Sequence, residues 1–372
     1  MRSTVAVPVL RIEWVYARSQ PRPARRRGTD RQQEIPPMIE KSLWHPVAQA
    51  HEVVDAPLGV QLLDQPLVLW RDPQGLVRVF VDRCPHRGAR LSMGRVENGH
   101  LECPYHGWQF ADSGQCVKVP ALPSFTPPPS QCVKAFEAQE AYGLVWVRLA
   151  TGEELSAVPA LAALAALPAF EAEADAHLRK LNCGPYDVAA SAPRIIENFL
   201  DMSHFGFVHE GWLGSRDATA IEAYAVETTA TGVLATGCKA VQPQSNLHST
   251  SAAEVEYTYE VTAPYAAVLT KLPESGTTRA GWRESIALFI CPVTPETSRV
   301  WFRLAVADFD SPDAQLQEFQ HTIFCQDQPV LESQQPKCLP LDPRAEMHSA
   351  ADRMSSAYRR YLRASGITFG VC

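Results

Sequence analysis

The chain has no stretch approaching the roughly 18 consecutive apolar residues that a membrane helix needs. It has no basic excess either: 34 Lys and Arg stand against 41 Asp and Glu, a net charge of −7. Phosphate contacts need a basic surface, so the balance argues against a nucleic-acid binder. No internal repeat is visible, and no G-x-G-x-x-G run of the kind that seats a flavin or nicotinamide dinucleotide. The ten cysteines (84, 103, 116, 132, 183, 238, 291, 325, 338 and 372) are too sparse and irregular for a secreted disulfide scaffold. These absences point to a largely reduced cytoplasmic protein with no membrane and no nucleic-acid partner. What is present is a globular composition. Hydrophobic residues make up 46% and charged residues 20% of 372, enough length for about two domains.

Residues 1–37 stand apart, with eight Arg, no Lys and three acids. The rest of the chain then carries 26 basic against 38 acidic residues, a net of −12. This segment is expected to be a disordered tail or a spurious upstream extension, because Met38 opens a stretch that already reads as folded. An Arg-rich organellar transit peptide is the alternative.

From residue 58 to 150 the pattern alternates and is broken by turn residues, as in an all-β module. Gly59–Leu63, Leu67–Trp70, Val77–Val81 and Leu144–Leu149 read as strands, and Asp72-Pro73-Gln74-Gly75 as a hairpin turn. Residues 151–176 are Ala-rich and read as a connection. Arg194–His209 reads as one helix, residues 219–308 as an antiparallel sheet, and Pro312–Gln335 and His348–Arg363 as two further helices, the last ended by Gly366. The expected class is α+β.

Two Cys-His pairs hold the densest chemistry: Cys84-Pro-His86-Arg-Gly88 and Cys103-Pro-Tyr-His106-Gly-Trp108. Two thiolates and two imidazoles suit a Rieske [2Fe–2S] centre, in which two histidines replace two cysteines on one iron. The same donors could hold a tetrahedral zinc. Pro after each Cys, Gly close after each His and the β-rich surroundings favour the cluster. The other eight cysteines have no metal spacing.

A second constellation reads Asn198-Phe-Leu-Asp201-Met-Ser-His204-Phe-Gly-Phe-Val-His209. Two His and a carboxylate with open positions make the facial triad of non-haem Fe(II) oxygenases. Asn198, Asp201 and His204 are three apart and would share one side of a helix. His204 and His209 are five apart and meet at one ion only if the helix ends or bulges there, which Gly206 would ease. The best third ligand is Asp327, a lone acid in Phe324-Cys-Gln-Asp327-Gln-Pro329, with Glu332 and Asp310 as alternatives.

Both motifs resemble those of the Rieske non-haem iron oxygenases, over residues from about 40 to the C-terminus. Respiratory Rieske proteins carry an extra cysteine in each loop, where this chain has Ala89 and Tyr105. Glu210–Arg216, Leu331–Pro336 and Tyr358–Cys372 look most like the small α-only hydroxylases of saxitoxin-type guanidinium alkaloids. Trp44-His45-Pro46 and the Asp327 region are similar to caffeine N-demethylases and, more loosely, vanillate-type O-demethylases.

The resemblance implies a Rieske [2Fe–2S] domain over 38–155 and a helix-grip catalytic domain, an antiparallel sheet with helices, over 156–372. Cys84, His86, Cys103 and His106 would hold the cluster, and His204, His209 and Asp327 the mononuclear iron. Asp201 would link an iron-ligating His to the cluster of a neighbouring subunit, which implies a homotrimer, and Asn198 would lie near the iron. Electrons would come from NAD(P)H through a separate flavin or iron–sulfur reductase, with or without a ferredoxin. The expected reaction with O₂ is C–H hydroxylation of a small polycyclic or heterocyclic substrate, the guanidinium alkaloids included. The alternative is oxidative N- or O-demethylation of a methylated purine or methoxyarene. Substrate charge would discriminate them, since a guanidinium wants an acid or an aromatic face. Tyr257, Tyr259, Trp282 and Phe289 are aromatic candidates for the pocket or for ordinary core. Arg216 reads as a substrate or partner contact or as a solvated loop residue.

Overall fold

The structure, a computed structural model, describes residues 38–152, 166–244, 247–249, 251–272 and 284–372. The readings of residues 1–37 and of Trp282, and half of the Ala-rich connection (153–165), fall outside them. Residues from Met38 to Cys372 form one compact unit.

The first half holds ten strands: β1 (His45–Gln49), β2 (Leu58–Leu62), β3 (Gln65–Arg71), β4 (Val77–Val81), β5 (Arg95–Glu97), β6 (His100–Glu102), β7 (Gln109–Phe110), β8 (Cys116–Lys118), β9 (Ala135–Ala141) and β10 (Leu144–Arg148). They form a six-stranded sheet in the order β1-β10-β9-β4-β3-β2 and a four-stranded sheet in the order β5-β6-β7-β8. The β3–β4 hairpin is closed as the sequence predicts. Asp72 is buried and its Oδ1 accepts the N–H groups of Gln74 and Leu76, both at 2.9 Å. The β2–β3 turn escaped the sequence reading. Leu63 and Asp64 both take positive φ, so Leu63 belongs to a two-residue turn rather than to the strand.

The second half holds β11 (Arg179–Val188), β12 (Ala225–Thr228), β13 (Val233–Gln242), β14 (Ala253–Ala263), β15 (Ala266–Leu272), β16 (Glu284–Thr294) and β17 (Thr297–Val306). They build one antiparallel sheet ordered β11-β17-β16-β15-β14-β13-β12. Among the described residues four helices accompany it: α1 (Ala192–Leu200), the single turn α2 (Phe205–Val208), α3 (Asp313–Ser333) and α4 (Arg353–Ala364). Among the described residues no helix is long and apolar enough to cross a membrane.

The two halves share a core. Trp146 of β10 meets the Phe289 ring of β16 edge-on at 5.0 Å, with Trp301 buried in the same cluster. Each such buried ring contributes about 1.5–3 kcal/mol. Phe289, an aromatic pocket candidate, is therefore ordinary core. A separate apolar cluster fills the space between the inner face of the seven-stranded sheet and α1, α3 and α4. Alternation in β14 sends Val255, Tyr257, Tyr259 and Val261 into it.

Candidate active site with two metal centres

The two Cys-His loops are built on one plan. Cys84 and Cys103 each donate their backbone N–H to the carbonyl five residues on, Ala89 and Trp108, both at 2.8 Å. Each also accepts an N–H from the glycine four residues on, Gly88 at 2.9 Å and Gly107 at 3.0 Å. Both glycines sit at positive φ (74° and 68°), which a side chain would resist. The loops bury the sulfurs and expose the imidazoles of His86 and His106. These rings lie 4.6 Å apart, with Trp108 stacked on His86 at 4.5 Å.

Burial pushes the Cys84 thiol up to about 11, and the neighbouring Cys103 adds to the effect. A buried sulfur pair of this kind suits a cation that displaces the protons. No three of the four loop donors fall within 4.8 Å of one another. Around a single tetrahedral zinc, with bonds of about 2.0–2.3 Å, they would sit ~3.5 Å apart. The wider spacing fits a two-iron cluster and corrects the zinc alternative.

The second motif departs from the sequence reading in an instructive way. α1 is capped by Ser191 and stops at Leu200, so Arg194–His209 is not one helix. Asp201 is extended (φ −89°, ψ 132°), and only Asn198 of the three-spaced residues lies on α1. The break falls before His204, and Gly206 lies in the turn that follows rather than at the break. His204 and His209 bracket the one turn of α2, which brings their rings to 5.0 Å.

Among the described residues, the one set of three or more His, Cys, Asp or Glu donors within 4.8 Å of one another is His204, His209 and Asp327. The Nε2 atoms of His204 and His209 lie 3.4 and 3.2 Å from the same oxygen, Asp327 Oδ1. The far nitrogens are held from outside. His204 Nδ1 donates to Asp201 Oδ2 at 3.1 Å and His209 Nδ1 to Gln326 Oε1 at 2.7 Å. Those bonds fix the tautomers that turn both Nε2 lone pairs inward. His209 Nε2 is buried and makes no hydrogen bond. A lone pair buried without a donor, facing a carboxylate, fits a metal ion between them.

Burial alone would raise the Asp201 carboxyl. Its bonds to His204 and to the Ser203 N–H override that and hold it below the usual carboxylate range. Burial likewise works to lower His209, and Asp327 and Gln326 reverse it. The field at the trio therefore favours a positive charge. Asn198 Nδ2 donates to Asp327 Oδ1 at 3.3 Å. The alternatives are occupied elsewhere: Glu332 accepts the Ala189 N–H, and Asp310 lies in the turn around Asp308.

A cavity of about 720 Å³, its open mouth included, rises over the trio between α1, α3 and the sheet. Phe205, Tyr257, Phe302 and Phe324 are among its walls, and Gln242, Tyr259 and Lys271 bring polar groups to it. Tyr257 and Tyr259 are thus pocket residues, as the sequence reading allowed. Arg216 is not among the wall residues; it pairs with Glu210 at 2.8 Å and covers the Phe207 ring. The sequence reading missed Gln242 and Lys271. Their signal was a polar side chain where strand alternation points inward.

The Rieske [2Fe–2S] domain family matches residues 43–137, and the vanillate O-demethylase oxygenase C-terminal domain family matches 188–365. The chain is 32% identical to the methylxanthine N1-demethylase of Pseudomonas putida, over 87% of this chain and 88% of that one. It belongs to the Rieske non-haem iron oxygenases. The methylxanthine N3-demethylase of the same organism is 29% identical over 88% and 92% of the two chains. The caffeine-bound structure of the N1-demethylase superimposes on this oxygenase with a TM-score of 0.72 at 31% identity, covering 87% and 90%. Dicamba monooxygenase, at 24% identity and a TM-score of 0.72, shares the fold. As an oxygenase component, the chain carries a Rieske cluster and a mononuclear iron and needs a separate reductase.

Proposed function

We propose that this oxygenase removes a methyl group from a neutral, planar, N-methylated heterocycle of the methylxanthine kind. The observation that carries this reading is the chemistry of the pocket wall. It is aromatic and aliphatic, with a carboxamide (Gln242), phenols and Lys271, which is paired with Glu284 at 3.4 Å. Asp327, committed to the iron, is the one acid among the described wall residues. A guanidinium would enter with no carboxylate of its own there and only aromatic faces to meet its charge, a weaker match than a neutral planar ring finds in the same walls. The methylxanthine demethylases among the relatives support the same direction.

In this reading Cys84, His86, Cys103 and His106 hold the cluster, and His204, His209 and Asp327 hold the iron. The division into a cluster domain to about residue 155 and an iron domain after it goes with that assignment. Bound there, the two centres supply two electrons and O₂ activation, so that one oxygen atom enters the substrate and the other leaves as water. The methyl carbon becomes N–CH₂OH, which collapses to N–H and formaldehyde. The protein's own part is positional. Asp201 keeps the proton on His204 Nδ1, Gln326 keeps the one on His209 Nδ1, and Asn198 steadies Asp327. The apolar walls exclude water from the reacting carbon.

Asp201 also lines a second groove, shared with His204, Met347 and Arg359, and is absent from the walls of the substrate cavity. The exposed His86, His106 and Tyr105 of a neighbouring copy would sit there, in a ring of three, and pass electrons through Asp201. The test of function is formaldehyde release with a reductase, O₂ and a panel of methylxanthines, methoxybenzoates and guanidinium alkaloids. Formaldehyde from the xanthines alone is expected. Hydroxylated alkaloid without formaldehyde would overturn the reading.

A further inference from the structure

Gln242 is the anomaly of the pocket. It is 1% exposed, yet neither its Nε2 nor its Oε1 has a hydrogen-bond partner. A buried carboxamide left wholly unpaired is costly and rare, because it has two donor hydrogens and an acceptor to satisfy. The fold holds it there firmly. Gln242 ends β13 opposite Ala253, and two residues on the Gln244 N–H donates to the Trp212 carbonyl at 2.9 Å. Trp212 follows the second iron-site histidine by three residues, so the end of β13 is tied to the loop leaving the metal trio. A second wall group shares the anomaly: Tyr259 is 1% exposed and its hydroxyl is also without a partner. Both side chains line the cavity over His204, His209 and Asp327.

We infer that Gln242, aided by Tyr259, is the orienting contact for an unsubstituted lactam edge of the substrate. A carboxamide pairs its oxygen and one of its two N–H groups at once with a ligand that offers a donor and an acceptor side by side, as N–H and C=O do in a cis-amide ring. The two pair antiparallel, and the Tyr259 hydroxyl is free to take one more polar atom. The aromatic walls suit the flat ring that carries such an edge. The substrate class narrows accordingly. Theobromine keeps an N–H between two carbonyls and satisfies Gln242. Caffeine has every such nitrogen methylated, offers no donor, and leaves Gln242 Oε1 unpaired while pressing a methyl against it. The preferred substrates are therefore partly demethylated xanthines, and Gln242 sets which ring edge faces away from the iron. This deepens the demethylase reading and rests on it for the ring class.

The test is ligand binding to the holoenzyme without reductase, so that no turnover occurs, with theobromine and caffeine as the probe pair. The wild type should bind theobromine about 10–100-fold tighter than caffeine, the scale set by leaving a buried polar group unpaired. Gln242→Leu should shrink that ratio below about threefold, bind caffeine no worse, and melt no lower than wild type, since it removes an unsatisfied group. Tyr259→Phe should weaken theobromine binding by a smaller factor. Equal binding of the two xanthines by wild type, a ratio that survives in Gln242→Leu, or binding of neither overturns the inference. Formaldehyde assays run beside it separate the two readings. Formaldehyde without discrimination sinks only the role of Gln242. Discrimination with a hydroxylated product and no formaldehyde sinks only the demethylation.

Discussion

Replacing Arg359 by Met should destabilise the protein by about 3 kcal/mol, through the helix that leads toward the His204, His209 and Asp327 trio. Arg359 lies on α4 and is 5% exposed. Its guanidinium donates to both Glu197 oxygens on α1 at 2.6 and 2.7 Å, to Glu346 at 2.5 Å and to the Pro340 carbonyl at 3.0 Å. Removing one member of a buried ion pair typically costs about 3–5 kcal/mol, because the partner's charge stays buried without compensation. Here Glu346 retains Arg194 at 2.6 Å, whereas Glu197 keeps only a 3.8 Å contact with it. The lower end of the range follows, or roughly 6 °C in Tm at about 2 °C per kcal/mol. Adding Glu197→Gln should recover at least half of the loss, since a neutral amide no longer carries a stranded charge. Thermal and urea melts of the two single variants, the double variant and wild type check this. A change below about 1 kcal/mol for Arg359→Met, or a double variant worse than the single one, refutes the reasoning.

Three further outcomes are expected. Asp201→Asn should keep both metal centres loaded and lower turnover about 10–100-fold by loosening His204; wild-type turnover at full iron would remove Asp201 from the electron path. Gln326→Leu deprives His209 Nδ1 of its acceptor, so iron retention against a chelator should weaken about 10–100-fold while the cluster spectrum stays unchanged; undiminished retention would show that Gln326 does not orient the ligand. Burial holds His45 down to about 4, despite its bond to the Glu40 carbonyl, so between pH 6.5 and 4 the unfolded chain binds a proton that the folded one refuses. Stability should therefore fall by about 3 kcal/mol as pH drops through that window, a limb that flattens in His45→Gln; identical pH profiles for the two would refute the assignment.

Much of the site was legible because its chemistry depends on residue type and close spacing. The Cys-His pairs declare their loops within six residues each, and their glycines mark the positive φ that closes them. The run from Asn198 to His209 was legible as a set of donors but not as a shape. Helix spacing alone put Asp201 and His204 on α1, whereas the chain leaves the helix at Leu200. The tertiary demand to aim two imidazoles at one carboxylate outweighs local propensity there. The Leu63-Asp64 turn was missed for a similar reason. An apolar residue with positive φ carries no turn signature, and backbone bonds from β16 at Pro292 and Val293 hold it in place.

By itself the sequence determined which chemistry the chain can carry, because thiolates, imidazoles and carboxylates are fixed by residue type. It also determined the order of an all-β half and an α+β half, because strand alternation and helical periodicity are local. Only the tertiary structure decided that Asp327, 118 residues beyond His209, shares an oxygen's reach with both histidines. It alone turned Phe289 into core and Gln242 into pocket. Two inward-facing residues on neighbouring strands look alike in sequence, and what covers the sheet above each of them is set by contacts distant in the chain.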